Sequence, residues 1–227
     1  MTLPHSAAHL QLVTSRVADL PLAIGAAARG GIDSVQVRDR AATPAELCAI
    51  ARDAAAACGG RAGVFVNGRA DVARAAGASG AHLPSFGPAV AAAREVLAPA
   101  QQVGVSVHSV EEAIVALREG ADYLLFGHVY PSGSHPGEPG RGLGLLRDVV
   151  EAAEVPVLAI GGIDAGRVAE TMATGCAGVA VISAILRRDD PELAARSLRD
   201  ALDACGEPAH AFRAAATFVP RCETLGP

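Results

Sequence analysis

Short β-branched and apolar runs alternate along the chain with Ala-rich stretches whose apolar positions recur at helical spacing. The runs predict strands at Leu10–Thr14, Ser34–Arg38, Gly63–Asn67, Ala81–Leu83, Val103–Ser106, Tyr123–Gly127, Val157–Ile160 and Val179–Ile182. Helical spacing is clearest at Ala45–Ala57, Val110–Leu117, Leu143–Ala152 and Ala165–Ala173. Strands that recur after intervening helices imply right-handed βαβ units and a parallel sheet. Gly30–Gly31, Gly59–Gly60, Gly77, Gly120 and Gly175 punctuate the returns from helix to strand, as helix ends do. About eight such units read most simply as an α/β fold, a single (β/α)8 TIM barrel. An open doubly wound sheet is the alternative, but no G-x-G-x-x-G follows the first strand. The barrel is expected over residues 1–205, with the tail 206–227 outside it and partly helical near Ala209–Ala216.

Composition narrows the function. Of 227 residues, 51% are hydrophobic and 19% charged, enough to bury a sizeable core. Trp is absent and aromatics reach 3%, which disfavours base-stacking and carbohydrate platforms. The net charge of −5 and the lack of a Lys/Arg run beyond Arg187–Arg188 disfavour nucleic-acid or membrane-surface partners. No apolar run is long enough to span a membrane, and Met1–His9 lacks the pattern of a secretory signal. Cys48, Cys58, Cys176, Cys205 and Cys222 are scattered and odd in number, which fits reduced thiols in a cytoplasmic protein better than a disulfide framework or zinc site. A second copy of the chain, as a homodimer, is the one protein partner left open.

In a barrel of this type the active site lies at the C-terminal strand ends. After the seventh and eighth strands stand Gly161-Gly162 and Ile182-Ser183, where uncovered amides and a final helix opened by Ser183 would grip a phosphate. After the second, alternation turns Gln36 and Arg38 inward. An inward guanidinium needs an anion, either a ligand carboxylate or phosphate or a salt bridge from Arg38 or Arg40 to Asp39 or Asp71. Asn67 stands at the mouth as a hydrogen-bonding group, whereas Asp71 reads as support for the next helix. Ser109 and Glu112 form a capping box, so His108 reads as structural or substrate-shaping. The long Gly/Pro-rich stretch after the sixth strand carries Ser132, Ser134 and His135, with His128 at the strand tip placed for proton transfer.

These residues together carry a pattern. Val103 to Ala113, Gly120-Ala121-Asp122-Tyr123, Phe126-Gly127-His128-Val129, Ala159-Ile160-Gly161-Gly162-Ile163 and Gly178 to Ser183 resemble the thiamine phosphate synthase superfamily, over about Leu10 to Leu202. The resemblance implies a TIM barrel and a small-molecule thiazole phosphate ligand. It offers two branches: a synthase, which joins a pyrimidine diphosphate to a thiazole phosphate and expels pyrophosphate, and TenI-like proteins, including a thiazole tautomerase. The synthase pattern places metal-binding Asp residues where Gly68 and Gly87 stand here, and its T-x-T-K becomes Ser132-Gly133-Ser134-His135. Gly127-His128-Val129-Tyr130 resembles the tautomerase stretch G-H-V-F. The expected function is therefore a cofactor-free, metal-free isomerase. His128 would be its acid/base. Gln36, Arg38, Arg40, Asn67, Ser132, Ser134, Gly161, Gly162, Ile182 and Ser183 would bind the substrate. The synthase, or a non-catalytic regulator that binds thiazole phosphate, is the alternative.

Overall fold

The computed structural model describes residues 8–208 and 210–212. Eight parallel strands close a barrel in sequence order, each pairing with the next and the last with the first. They are β1 His9–Val13, β2 Ser34–Val37, β3 Gly63–Asn67, β4 Gly80–Leu83, β5 Gln102–Val107, β6 Tyr123–Gly127, β7 Val157–Ile160 and β8 Gly178–Val181. The helices are α1 Leu20–Arg29, α2 Pro44–Cys58, α3 Ala70–Ala76, α4 Val90–Val96, α5 Val110–Arg118, α6 Gly142–Ala152, α7 Val168–Met172, α8 Ser183–Leu186 and α9 Pro191–Asp203, with a 3-10 turn at Ala165–Arg167 before α7. The (β/α)8 barrel expected from the pattern is the fold, and the open sheet is excluded. None of the helices among the described residues is long and apolar enough to cross a membrane.

Local chemistry sets the helix starts. Thr43 Oγ1 accepts from the Glu46 amide while the Glu46 carboxylate accepts from the Thr43 amide at 2.7 Å, with Pro44 in the first turn of α2. Asp190 caps α9 in the same sense, accepting from the Leu193 amide at 3.0 Å. The Arg199 guanidinium of α9 is buried, and it donates to Asp33 Oδ2 at 3.1 Å, the Ala8 carbonyl at 2.9 Å and Asp203 Oδ1 at 2.8 Å. Three charge-assisted bonds make that burial tolerable and tie the last helix to the first strand.

Strand alternation separates two cores. Val35, Val37, Val64, Val66, Val103 and Val105 face the helices within the large cluster. The barrel axis holds Val13, Phe65, Tyr123, Leu125 and Leu158, but also a polar ladder. His9 Nε2 shares a hydrogen bond with Ser34 Oγ at 2.7 Å, and Gln11 Nε2 donates to the same hydroxyl at 3.2 Å. His82 bridges Tyr123 OH at 3.1 Å and Ser106 Oγ at 2.8 Å. Room for the Tyr123 ring comes from Gly104 on the neighbouring strand, where a Cβ would lie 2.0 Å from the ring. Burial holds His9 down to about 4 and His82 down to about 3, the latter helped by the Arg38 charge.

Both imidazoles are therefore neutral in the folded chain and titrate near 6.5 once unfolded. The unfolded state binds more protons at every pH between those values, so stability is full above 6.5 and lost as pH falls below it. Urea unfolding at pH 7, 6 and 5 is expected to show a loss for each histidine that steepens below 6.5 toward about 1.4 kcal/mol per pH unit. A His82→Gln variant is expected to show a shallower loss, and an unchanged slope would remove His82 from the cause.

The helix expected near Ala209–Ala216 falls largely outside the described residues. Phe212 is described, and it is buried at the N-terminal end of the barrel. Its ring stands 4.6 Å from His9 edge-on and 4.5 Å from Tyr123, closing the axial core from below. Phe212→Ala is expected to cost about 3 kcal/mol, as large core truncations do. Differential scanning calorimetry checks it.

Candidate active site

The opposite mouth is lined by charge and unpaired polar atoms. Gln36, buried at the end of β2, donates from Nε2 to Asn67 Oδ1 at 3.0 Å, while its Oε1 is buried without a partner. That carbonyl keeps an unused acceptor. Two residues on, the backbone of Arg38 is pinned by Thr14, whose Oγ1 accepts from the Arg38 amide at 2.8 Å. The Arg38 guanidinium is half-buried, and its pKa lies below the ordinary value because of desolvation and the neighbouring Arg40. Among the described residues neither arginine finds the salt bridge that would have made it structural. Asp39 is taken by Arg16 at 2.8 Å, and Asp71 by Arg69, also at 2.8 Å. Arg40 is exposed at the rim. Two like charges thus stand beside an orphaned carbonyl at this mouth.

Gly161 and Gly162 follow β7 with φ of +105° and +68°, and their turn packs on the β6 loop. Tyr130 donates its amide to the Gly161 carbonyl at 3.0 Å. The Arg167 guanidinium lies 4.6 Å over the Tyr130 ring, and the Tyr130 hydroxyl donates to Glu170 at 2.6 Å. The amides of Gly162 and Ser183 donate to no group among the described residues. Ser183 does open a helix, but it is the four-residue α8, not the final helix α9. One turn sums little dipole, so what this corner presents is individual amides rather than a helix end.

The histidine cluster sits between β5 and β6. His108 donates from Nδ1 to the Gly127 carbonyl at 2.6 Å, and Arg141 donates from Nε to the same oxygen at 3.0 Å. His128 is buried and donates from Nε2 to the Pro139 carbonyl at 3.1 Å. Its ring stacks on His135, with centroids 4.3 Å apart and planes 10° from parallel. Arg141 closes the loop: its amide donates to the His128 carbonyl at 2.9 Å, and the following amide donates to the Val129 carbonyl at 3.0 Å. Ser132 and His135 line a cavity of about 590 Å³ in this loop, whereas Ser134 is exposed. Pattern alone assigned no role to Thr14, Ser106, Arg141 or Pro139. Thr14 carried a signal, since it ends β1 beside the second strand. The part of Pro139 is a backbone carbonyl, which no sequence pattern marks.

The family model described as thiamine monophosphate synthase matches residues 10–185. This chain belongs to the thiamine monophosphate synthase family. Among family members, the thiamine-phosphate synthase of Chlorobium luteolum is 38% identical over 200 residues, covering 87% of this chain and 94% of that protein. That of Methanoculleus marisnigri is 42% identical over 182 residues, covering 78% and 85%. A solved thiamine phosphate pyrophosphorylase from Pyrococcus furiosus superposes with a TM-score of 0.80 at 34% identity, covering 87% of this chain and 96% of that one. A 3-hexulose-6-phosphate synthase superposes with a TM-score of 0.68 at 20% identity, which speaks to the fold alone.

The expected thiazole tautomerase, and with it the isomerase, is overturned by these family members. They are named as synthases, and their likeness to this chain runs the length of the barrel. The tautomerase reading gave three substituted positions more weight than the rest of the barrel.

The metal implied by the synthase pattern is a separate matter. Gly68 and Gly87 offer no oxygen from a side chain, and a Cβ at position 87 would come within 2.9 Å of the Pro84 carbonyl. Asp71, the acid nearest to Gly68 in sequence, is already paired with Arg69. No group of three or more His, Cys, Asp or Glu among the described residues is placed to hold a metal ion. The donor set therefore does not fit a metal held by the protein's own carboxylates.

Proposed function

We propose that the chain is a thiamine-phosphate synthase, a transferase that joins a pyrimidine diphosphate to a thiazole phosphate and releases pyrophosphate. The observation that carries this reading is the identity of 38% with a named synthase across 87% of the chain. The unpaired Arg38 guanidinium beside Arg40 supports it from the side of the structure. In this reaction the carbon–oxygen bond of the diphosphate ester breaks, and the electron pair leaves with pyrophosphate. The ring nitrogen of the thiazole supplies the pair for the new carbon–nitrogen bond. No proton needs to be removed from either partner, so the engaged Nε2 of His128 is no obstacle.

Each residue then has a role set by chemistry. Arg38 and Arg40 meet the charge that grows on the departing diphosphate, in a half-buried site where such pairing counts for more than in water. Gln36 Oε1 accepts from a heterocycle N–H, and Asn67 holds the Gln36 amide in the orientation that allows it. The amides of Gly162 and Ser183, with Gly161 and Ile182 shaping the corner, grip the phosphate of the thiazole. Ser132 and Ser134 bring hydroxyls from the β6–α6 loop. His128 acts as a wall and as a brace for that loop.

The test is incubation with both substrates in a magnesium-containing buffer, reading thiamine phosphate by fluorescence after oxidation and pyrophosphate by a coupled assay. Stoichiometric formation of the two is expected. Binding of thiazole phosphate without either product would replace the synthase with a non-catalytic regulator.

A further inference from the structure

The turn after β7 is latched to the loop after β6 by a cluster that the reaction above does not use. Arg167, in the 3-10 turn before α7, donates from Nη1 to the Gly162 carbonyl at 2.5 Å. Its guanidinium lies over the Tyr130 ring. Tyr130 is itself fixed, its hydroxyl donating to Glu170 Oε1 at 2.6 Å and its amide to the Gly161 carbonyl at 3.0 Å. The Arg167 backbone is fixed as well: its amide donates to Asp164 Oδ1 at 3.2 Å, and its carbonyl accepts from Thr171 Oγ1 at 2.7 Å. The two loops touch so closely that a Cβ at Gly162 would lie 2.6 Å from the Pro131 carbonyl.

This latch sets the direction of two amides. In a trans peptide the N–H points opposite to the C=O, and both peptides of this turn are trans. The Gly161 carbonyl faces Tyr130, so the Gly162 N–H faces away from the β6–α6 loop, toward β8 and Ser183. The Gly162 carbonyl faces Arg167 above the Tyr130 ring, so the Ile163 N–H turns away from that loop too. Neither amide donates to a group among the described residues. Successive unpaired amides on one side of a turn make a concavity for an anion. The guanidinium on the Gly162 carbonyl also polarises that peptide and strengthens its N–H as a donor.

We propose that Arg167 is a positioning residue for the phosphate of the thiazole, holding the Gly162 carbonyl so that the Gly162 and Ile163 amides face the anion. This role rests on the reading of the corner as a phosphate grip. It adds the Ile163 amide to that grip and names the side chain that aims it. The guanidinium is committed to the carbonyl and the ring, so it acts through the turn rather than by touching the ligand. Two consecutive glycines leave the backbone of this turn unusually free, and only an outside hold keeps both amides aimed.

Isothermal titration with thiazole phosphate, beside steady-state kinetics, tests this on the full chain. Arg167→Met keeps the apolar stem and removes the donor. It is expected to weaken thiazole phosphate binding about tenfold, the worth of one charge-assisted hydrogen bond. KM for thiazole phosphate is expected to rise with it. The kcat, the KM for the pyrimidine diphosphate and the melting temperature are expected to stay at their wild-type values, since Arg167 is exposed. Arg167→Lys is expected to recover most of the affinity, because its ammonium can donate to the same carbonyl. Tyr130→Leu takes away the ring beneath the guanidinium and changes no charge. It is expected to weaken binding in the wild type and to add nothing in Arg167→Met, as partners in one latch do. Full additivity of the two would mean that Arg167 acts by its charge alone, and would overturn the latch. An unchanged affinity in Arg167→Met, or a loss shared equally by both substrates, would overturn it too. Binding does not depend on turnover. The coupled loss of affinity without any thiamine phosphate formation would overturn the function and leave the role of Arg167 standing.

Discussion

Changing Arg38 to methionine lowers kcat/KM for thiamine phosphate formation roughly 100- to 1,000-fold, the range seen when one preorganised charge-stabilising donor is removed. The melting temperature of the same variant stays level or rises. The two expectations belong together. Arg38 is half-buried, its ordinary partner Asp39 is held by Arg16, and the charge next to it is Arg40. A cation kept in that position gives nothing to the folded state and is useful only when an anion arrives. Steady-state kinetics with both substrates, beside a thermal melt, checks the pair. A large loss of melting temperature would mean that Arg38 has a structural partner, and unchanged kinetics would move the diphosphate elsewhere.

The second large effect concerns Gly161. Its φ of +105° is a conformation that side chains resist, and an added Cβ would lie 2.4 Å from the Cβ of His128 and 2.7 Å from its Cα. The obstacle is backbone at the end of a barrel strand, which has no room to move aside. Gly161→Ala is therefore expected to cost more than about 4 kcal/mol, the range reserved for strain and overpacking combined. Activity should fall further than the folded fraction does, because the alanine pushes the β7 loop away from His128 and disturbs the phosphate corner. Urea titration and activity per folded molecule separate the two contributions. A variant with native stability would show that the loop relaxes freely.

The barrel was legible because its strands are written in β-branched runs. Gly63–Asn67, Tyr123–Gly127 and Val157–Ile160 follow from the pattern without a shift of one residue. The helices α1, α3, α4 and α9 do not stand out in the pattern, and α3 and α4 span only seven residues each, too few for a helical period to show. At the mouth, alternation placed Gln36 and Arg38 on the inner face, and the structure adds that their acidic neighbours are occupied elsewhere. That second fact is invisible in sequence, because Asp39 and Arg16 are paired across two strand ends. His82 shows the opposite difficulty. It stands within the stretch that resembles a metal-site motif, yet its ring points into the barrel axis and bonds to Tyr123 and Ser106. The choice between synthase and isomerase failed for a related reason. Local substitutions at 68, 87 and 135 describe how charge is managed in the pocket. They do not by themselves name the reaction.

Phe212 joins the segment after α9 to the first strand, because its ring rests on His9. It follows all eight strands in sequence, so it leaves the ribosome after every one of them. Every strand can be synthesised, and β1 can meet β8, while the floor of the barrel is still open to water. The dry seal on the axial core therefore forms only after the last strand has been synthesised, and a nascent chain arrested before residue 212 carries an unsealed base.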